Sequence, residues 1–367
     1  MDDRRGVLLE LHDEDGRVGV GEASPIPSLG YGTVEDVLAL LAQYVQDGTL
    51  PHPLDVIDTQ TPGVMALLCA LDVAMLDLEA QRAGCTVAAL LSETPAASVR
   101  VNAVIGDGTP EATARFGVEA TAQGYTVLKT KVGTGDLARD VERVTALRAA
   151  CPDATIRLDA NGAWDEETAL AAVRALAPLG IELIEQPVTA ADVAALARVR
   201  LAAVHGTPGA AHDRAALAWQ SAAEPRGPLI AADEAVTDPA LLARVLNERA
   251  GDLVVLKPMF LGGLRPALAI ARRAEARGIG AIVTTTFDSS IGTAAALHLA
   301  AALDGDSGEA RAHGLGTGEH LDGDLVTHTL LARDGMLALP GGPGLGIAPD
   351  EDAWHRVAEG DWSEARI

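Results

Sequence analysis

The sequence predicts an α/β fold: a barrel of strands alternating with helices, joined to a small α+β unit. Two observations predict it. From residue 98 onward, apolar β-type runs alternate with helical stretches rich in Ala, Leu and Arg. Those runs carry charged or hydroxyl residues at their ends, the pattern of strands whose carboxyl ends meet at one rim. The 367 residues, 48% of them hydrophobic, suffice for one large core with a smaller companion.

The small unit comes first, over 1–97. Residues 6–22 read as a hairpin: Val7, Leu9 and Leu11 alternate, Glu14 to Gly16 turn the chain, and Val18 and Val20 resume the alternation. Thr33 caps a helix reaching Val45, with Val34, Leu38, Leu41 and Val45 on one face. Thr61 and Pro62 open a second helix that ends near Gly84. Its apolar stretch, Val64 to Leu78, carries Asp72 and Asp77 and reads as buried rather than membrane-spanning. The barrel occupies 98–335. Its eight candidate strands lie at 99–106, 126–132, 155–161, 181–187, 228–235, 252–258, 280–287 and 312–318. The connection at 203–227 is wider than the others. It reads as an inserted helix with loops, open to covering the barrel side or to a homo-oligomeric contact. The Gly- and Pro-rich end, 336–367, is expected to return and pack on the small unit.

Composition narrows the partners. The formal charge of −24 repels nucleic acid and anionic membrane, which leaves a small molecule as the expected partner. Cys69, Cys85 and Cys151 are odd in number and lack CxxC spacing, as expected of reduced thiols in a cytoplasmic protein. The start, Met1 to Arg5, has no apolar signal region.

In such a barrel the chemistry sits where the strands end. Strand two offers Lys129 and Lys131, strand three Asp159 with Asn161, strand four Glu185, strand five Asp233, and strand six Lys257. The strand-seven loop offers Thr284, Thr286, Ser289 and Ser290. Three carboxylates with no accompanying His or Cys suit a hard divalent cation, Mg²⁺ rather than Zn²⁺. Unpaired acids are costly near a barrel interior, and a shared metal offsets that cost.

Lysine use is the sharper signal. Of 28 Lys+Arg, only Lys129, Lys131 and Lys257 are lysine, and all three fall at this rim. Residues i and i+2 share a strand face, so Lys129 and Lys131 project together. A lysine titrates near about 10.4 when free, and neighbouring cations and partial burial are expected to push it down toward a useful base. Arginine cannot serve as that base. A metal flanked by amines suits abstraction of a proton α to a carboxylate: the cation stabilises the enediolate and a lysine takes the proton.

The segments Lys129–Lys131 (KTK), 158–164 (LDANGAW), 184–187 (IEQP), 232–235 (ADEA) and 256–258 (LKP) resemble the enolase superfamily, specifically its muconate-lactonizing-enzyme subgroup. The resemblance covers most of the chain. It implies a modified TIM barrel, (β/α)7β, with a capping domain formed by both chain ends. It implies Mg²⁺, with Mn²⁺ as a substitute, held by Asp159, Glu185 and Asp233, with Asn161 and Glu234 beside them. It implies Lys131 as acid/base, Lys129 as its electrostatic partner and Lys257 opposite. The catalytic histidine on strand seven that marks mandelate racemases has no counterpart in TTTFDSS, 284–290.

Within the subgroup, 282–292 (IVTTTFDSSIG) and 312–321 (AHGLGTGEHL) are most similar to o-succinylbenzoate synthases of menaquinone biosynthesis, carbon–oxygen lyases. That similarity implies syn dehydration of a cyclohexadiene carboxylate, with Lys257 facing the ring. Residues near Thr284 and Gly314 would hold the succinyl carboxylate. The alternative is racemisation of an N-acylamino acid or epimerisation of a dipeptide, with both lysines as bases. Dipeptide epimerases carry an Asp-x-Asp pair at strand eight, and Asp322 and Asp324 lie several residues beyond that strand. Muconate cycloisomerisation is the third option. Family members begin with a further strand and loop before the hairpin, so a specificity loop of the cap is expected to be missing.

Overall fold

The computed structural model describes residues 4–51, 58–106, 108–205, 227–308 and 310–358. The cap begins with an antiparallel hairpin, β1 (Val7–His12) and β2 (Val18–Ala23). Helix α1 (Val34–Asp47) starts on a capping box in which Thr33 and Asp36 satisfy each other's backbone N–H, and ends on left-handed Gly48. Helix α2 (Val64–Ala83) starts later than expected, because Thr61 and Pro62 form the turn before it. It is buried on nearly every side, so it has no polar face to show water. Strand β2 lies against it through glycine: a Cβ at Gly21 would stand 2.0 Å from Ala70 O. Helix α3 (Val87–Leu91) completes the cap.

The barrel follows as β3 (Ser98–Val101), β4 (Ala103–Ile105), α4 (Pro110–Ala122), β5 (Val127–Lys131), α5 (Leu137–Ala150), β6 (Thr155–Asp159), α6 (Glu166–Leu176), β7 (Ile181–Glu185) and α7 (Val193–His205). It continues with β8 (Leu229–Ala232), α8 (Pro239–Glu248), β9 (Leu253–Leu256), α9 (Pro258–Leu261), α10 (Leu264–Glu275), β10 (Gly280–Val283), α11 (Ser290–Ser307) and β11 (Ala312–His313). Thr109, Asp136, Asp165, Asp238 and Ser289 cap five of these helices through their side chains, which ends each loop where a helix must begin. Strands β4 to β10 form one parallel sheet in chain order. Its ends are joined by β11, which pairs with β3, while Gly314 bridges Thr284 and Asn102 N donates to His313 O. The barrel interior is apolar below the rim, with Leu183, Val255 and Ile282 in one buried cluster.

Two differences from the sequence reading stand out. Strand eight is only two residues long, because Gly314 and the turn after it leave the ladder. A strand not anticipated, β12 (Met336–Ala338), adds antiparallel to β3. Beyond it, Gly344 exchanges backbone bonds with Cys85 and Val87, and Leu345 N reaches Asp77. Helix α12 (Glu351–Val357) ends the described chain. Most of the inserted helix expected at 203–227, residues 206–226, lies outside the described residues, as does 359–367.

Candidate active site

Parallel register sets the site's levels. Lys131 pairs with Asp159, and Asp159 with Glu185, so these three stand at one height on adjacent strands. One layer below, Lys129 pairs with Arg157 and Arg157 with Leu183. Paired residues share a face, so both layers point into the barrel.

Lys129 Nζ reaches up between the acids, 2.8 Å from each Glu185 oxygen and 2.9 Å from Asp159 Oδ2. Lys257 Nζ donates to Asp233 Oδ2 at 2.5 Å. Asp159, Glu185 and Asp233 are all buried. Burial opposes the charge of both Lys129 and Lys257, but the facing acids outweigh it and hold both lysines above the ordinary range. This reverses the expected downward shift: the nearest charges are carboxylates, not cations. Burial and the Asp159 charge push Glu185 up to about 8, while Lys129 holds Asp159 low against its own burial. Lys131 differs from both. It is exposed, and its ammonium has no hydrogen-bond or ion-pair partner among the described residues, although its carbonyl accepts from Arg143.

Two backbone distortions aim the rim. Asn161 adopts φ 44°, its N–H donates to Asp159 Oδ1, and its side chain donates to Glu234 Oε1 at 3.2 Å. Gln186 adopts φ 37°, and its buried amide oxygen accepts from the Asp233 and Ala235 N–H groups. Gln186 therefore ties the end of β7 to the end of β8. The sequence reading passed over it, although it stands inside the IEQP segment.

The strand-seven residues sit otherwise than expected for substrate contacts. Thr284 Oγ1 donates to Gly314 O at 2.9 Å and helps close the barrel. Thr286 donates to Asp288, and both are buried. Ser289 caps α11 and bonds Glu22 of the cap. Glu22 also accepts from Ser24 Oγ and Gly292 N, so one cap carboxylate holds the loop after β10. Asp324 accepts from Ser290 N, Ser290 Oγ and Leu325 N. On the opposite side, the cap's Tyr31 stacks on Phe260 at 3.8 Å and donates to Thr237.

The donor set suits a hard cation: three buried carboxylates without His or Cys, and Asp233 Oδ1 without a partner among the described residues. As they stand, ammonium groups lie against these acids, and among the described residues no metal-ready cluster of His, Cys, Asp and Glu is formed.

Residues 112–353 match the family profile described as enolase C-terminal domain-like. The chain belongs to this family. This enolase-superfamily enzyme falls in the muconate-lactonizing subgroup. It is 28% identical to chloromuconate cycloisomerase CbnB of Cupriavidus necator, over 92% of this chain and 87% of that one. It is 29% identical to L-Ala-D/L-Glu epimerase of Bacillus subtilis, over 93% and 88%. The dipeptide epimerase of Enterococcus faecalis, solved with Mg and L-Leu-L-Tyr, superposes with a TM-score of 0.78 at 29% identity, covering 94% of this chain and 91% of that one. The expected fold class, a modified TIM barrel with a cap, stands with these relatives. No helix among the described residues is long and apolar enough to cross a membrane.

Proposed function

We propose that this enzyme removes the proton α to a carboxylate with Lys131, as an o-succinylbenzoate synthase-like lyase. The observation that carries the base assignment is the contrast among the lysines. Lys129 and Lys257 are bound to acids, whereas Lys131 stands level with Asp159 and Glu185 and is unpartnered among the described residues. An amine free of ion pairs at the mouth can reach a substrate carbon. Lys129 holds Asp159 and Glu185 apart from one another's charge and adds positive potential beside the reacting carboxylate. Lys257 supplies a second cation from the far side, over the ring face.

Asp159, Glu185 and Asp233 would hold Mg²⁺ or Mn²⁺, with Asn161 and Glu234 orienting the first and last of them. When bound, the cation would neutralise charge developing on the substrate carboxylate. In the dehydration, Lys131 takes the α-proton, the neighbouring C–O bond breaks, and Lys131 returns the proton to the departing hydroxide as water. A reducing, cytoplasmic setting fits the three free thiols.

Lyase chemistry is favoured over dipeptide epimerisation by Asp324. Its carboxylate is engaged at the start of α11, with three donors on two oxygens, which leaves it poorly placed to grip a substrate ammonium. A second reading, two-lysine racemisation or epimerisation, is supported by the epimerases among the relatives. Cycloisomerisation has the same kind of support. One paired assay separates them. The cyclohexadiene carboxylate is supplied and aromatic product followed; N-succinyl amino acids and dipeptides are supplied and optical rotation followed. Aromatic product confirms the lyase, and rotation change without it replaces the lyase by the racemase reading.

A further inference from the structure

Beneath the charged layer lies a small cavity of about 10 Å³, bounded by Asn102, Lys129, Arg157, Glu185, Thr284 and Gly314 above an apolar floor. Asn102 sits between β3 and β4, only 3% exposed, and its Nδ2 has no hydrogen-bond partner among the described residues. A buried amide N–H without an acceptor is destabilising. The room available matches one water molecule, and a water is stable in such a site when it has two or more polar partners. The Glu185 carboxylate, which lines the same cavity, is the acceptor at hand; the Gly314 carbonyl already accepts from Thr285 N and Thr284 Oγ1. The cavity is far too small for any part of an organic substrate.

We propose that this cavity is a binding site for a single water, held by Asn102, and that Asn102 is a positioning residue for Glu185. The water accepts from Asn102 Nδ2 and donates to the Glu185 carboxylate. It links the seam where Thr284 and Gly314 close the barrel to the acid that Lys129 holds. Arg157 lines the same cavity and is anchored at its edge, its Nε on Glu182 and one terminal nitrogen on Ala312 O at 2.6 Å. The water site stands on geometry alone, whereas its influence on Glu185 as a ligand rests on the metal reading above.

The test is a crystal structure of the metal-free protein together with Mg²⁺ titration of the parent, Asn102→Ala and Asn102→Leu. Density for one water within hydrogen-bond distance of Asn102 Nδ2 is expected. Asn102→Ala removes the donor but leaves a polar, roomier site that still admits water, so its Mg²⁺ affinity falls, though by less than in Asn102→Leu. Asn102→Leu fills the space and expels the water, and Mg²⁺ affinity falls about tenfold, as expected when support behind a metal ligand is lost. A purely packing role predicts the reverse order, with leucine better than alanine. Absence of that density, or affinity in Asn102→Leu equal to or above Asn102→Ala, overturns the proposal. The density is read without metal, so it still decides the water site if the parent binds no Mg²⁺.

Discussion

Lys129 Nζ lies 2.8 Å from both oxygens of Glu185, an acid two strands away around the barrel and one layer above it. This contact separates the two lysines of the KTK segment. They share a strand face, but one is neutralised by its neighbours while the other meets solvent at the strand's end.

Lys131→Ala is expected to lower turnover by about 10²–10⁴-fold, the range for loss of a general acid/base. Because Lys131 is exposed and unpartnered among the described residues, stability should change by no more than about 0.5 kcal/mol. Steady-state rates beside a thermal melt check both halves. Wild-type turnover in this variant would remove Lys131 from the mechanism.

Divalent metal is expected to stabilise the parent chain and to be required for turnover. At a hundredfold excess over its dissociation constant, Mg²⁺ should add about 2.7 kcal/mol. Asp233→Asn should abolish that gain. Its carboxylate has one oxygen on Lys257 and one with no partner among the described residues. Melting curves with Mg²⁺ and with chelator measure this, and full activity after thorough metal removal would refute it.

His298 is expected to make the protein acid-sensitive. Burial pushes its pKa down to about 4; Nδ1 accepts from Ala88 N, and Nε2 faces Leu345 O. Between that value and about 6.5, the unfolded chain binds a proton that the folded chain refuses. Stability therefore falls as pH drops through this window, by about 3 kcal/mol in total. Asp288, raised to about 6 by burial and by Glu22, works in the opposite direction. Urea unfolding of the parent and His298→Gln from pH 7 to pH 4 isolates the histidine, since Asp288 is common to both. Equal slopes would contradict the assignment.

Glu22→Ala is expected to loosen the joint between cap and barrel. It removes the acceptor for Ser24 Oγ, Ser289 N, Ser289 Oγ and Gly292 N, all at one buried point. Stranding several donors should cost about 3 kcal/mol or more. A lower urea midpoint with an unchanged slope is the expected reading. An unaltered midpoint would show that the loop after β10 holds itself.

The strand–helix alternation, the hairpin, the rim position of six acids and amines, and the identity of the family were legible in the sequence. Local period and residue type carry that information: i and i+2 share a strand face wherever the strand lies. What each rim residue touches was not legible. Lys129 and Lys131 have the same sequence signature, and only the barrel's register places Glu185 over one of them. Thr284, Thr286 and Ser289 looked available to a substrate until folding brought Gly314, Asp288 and Glu22 against them. Gln186 gave no periodic signal, because its side chain joins the ends of two neighbouring strands. The sequence by itself determined which groups reach the mouth. The tertiary structure decided which of them are held by a partner there, because partners far apart in the chain meet only once the sheet has curled and closed.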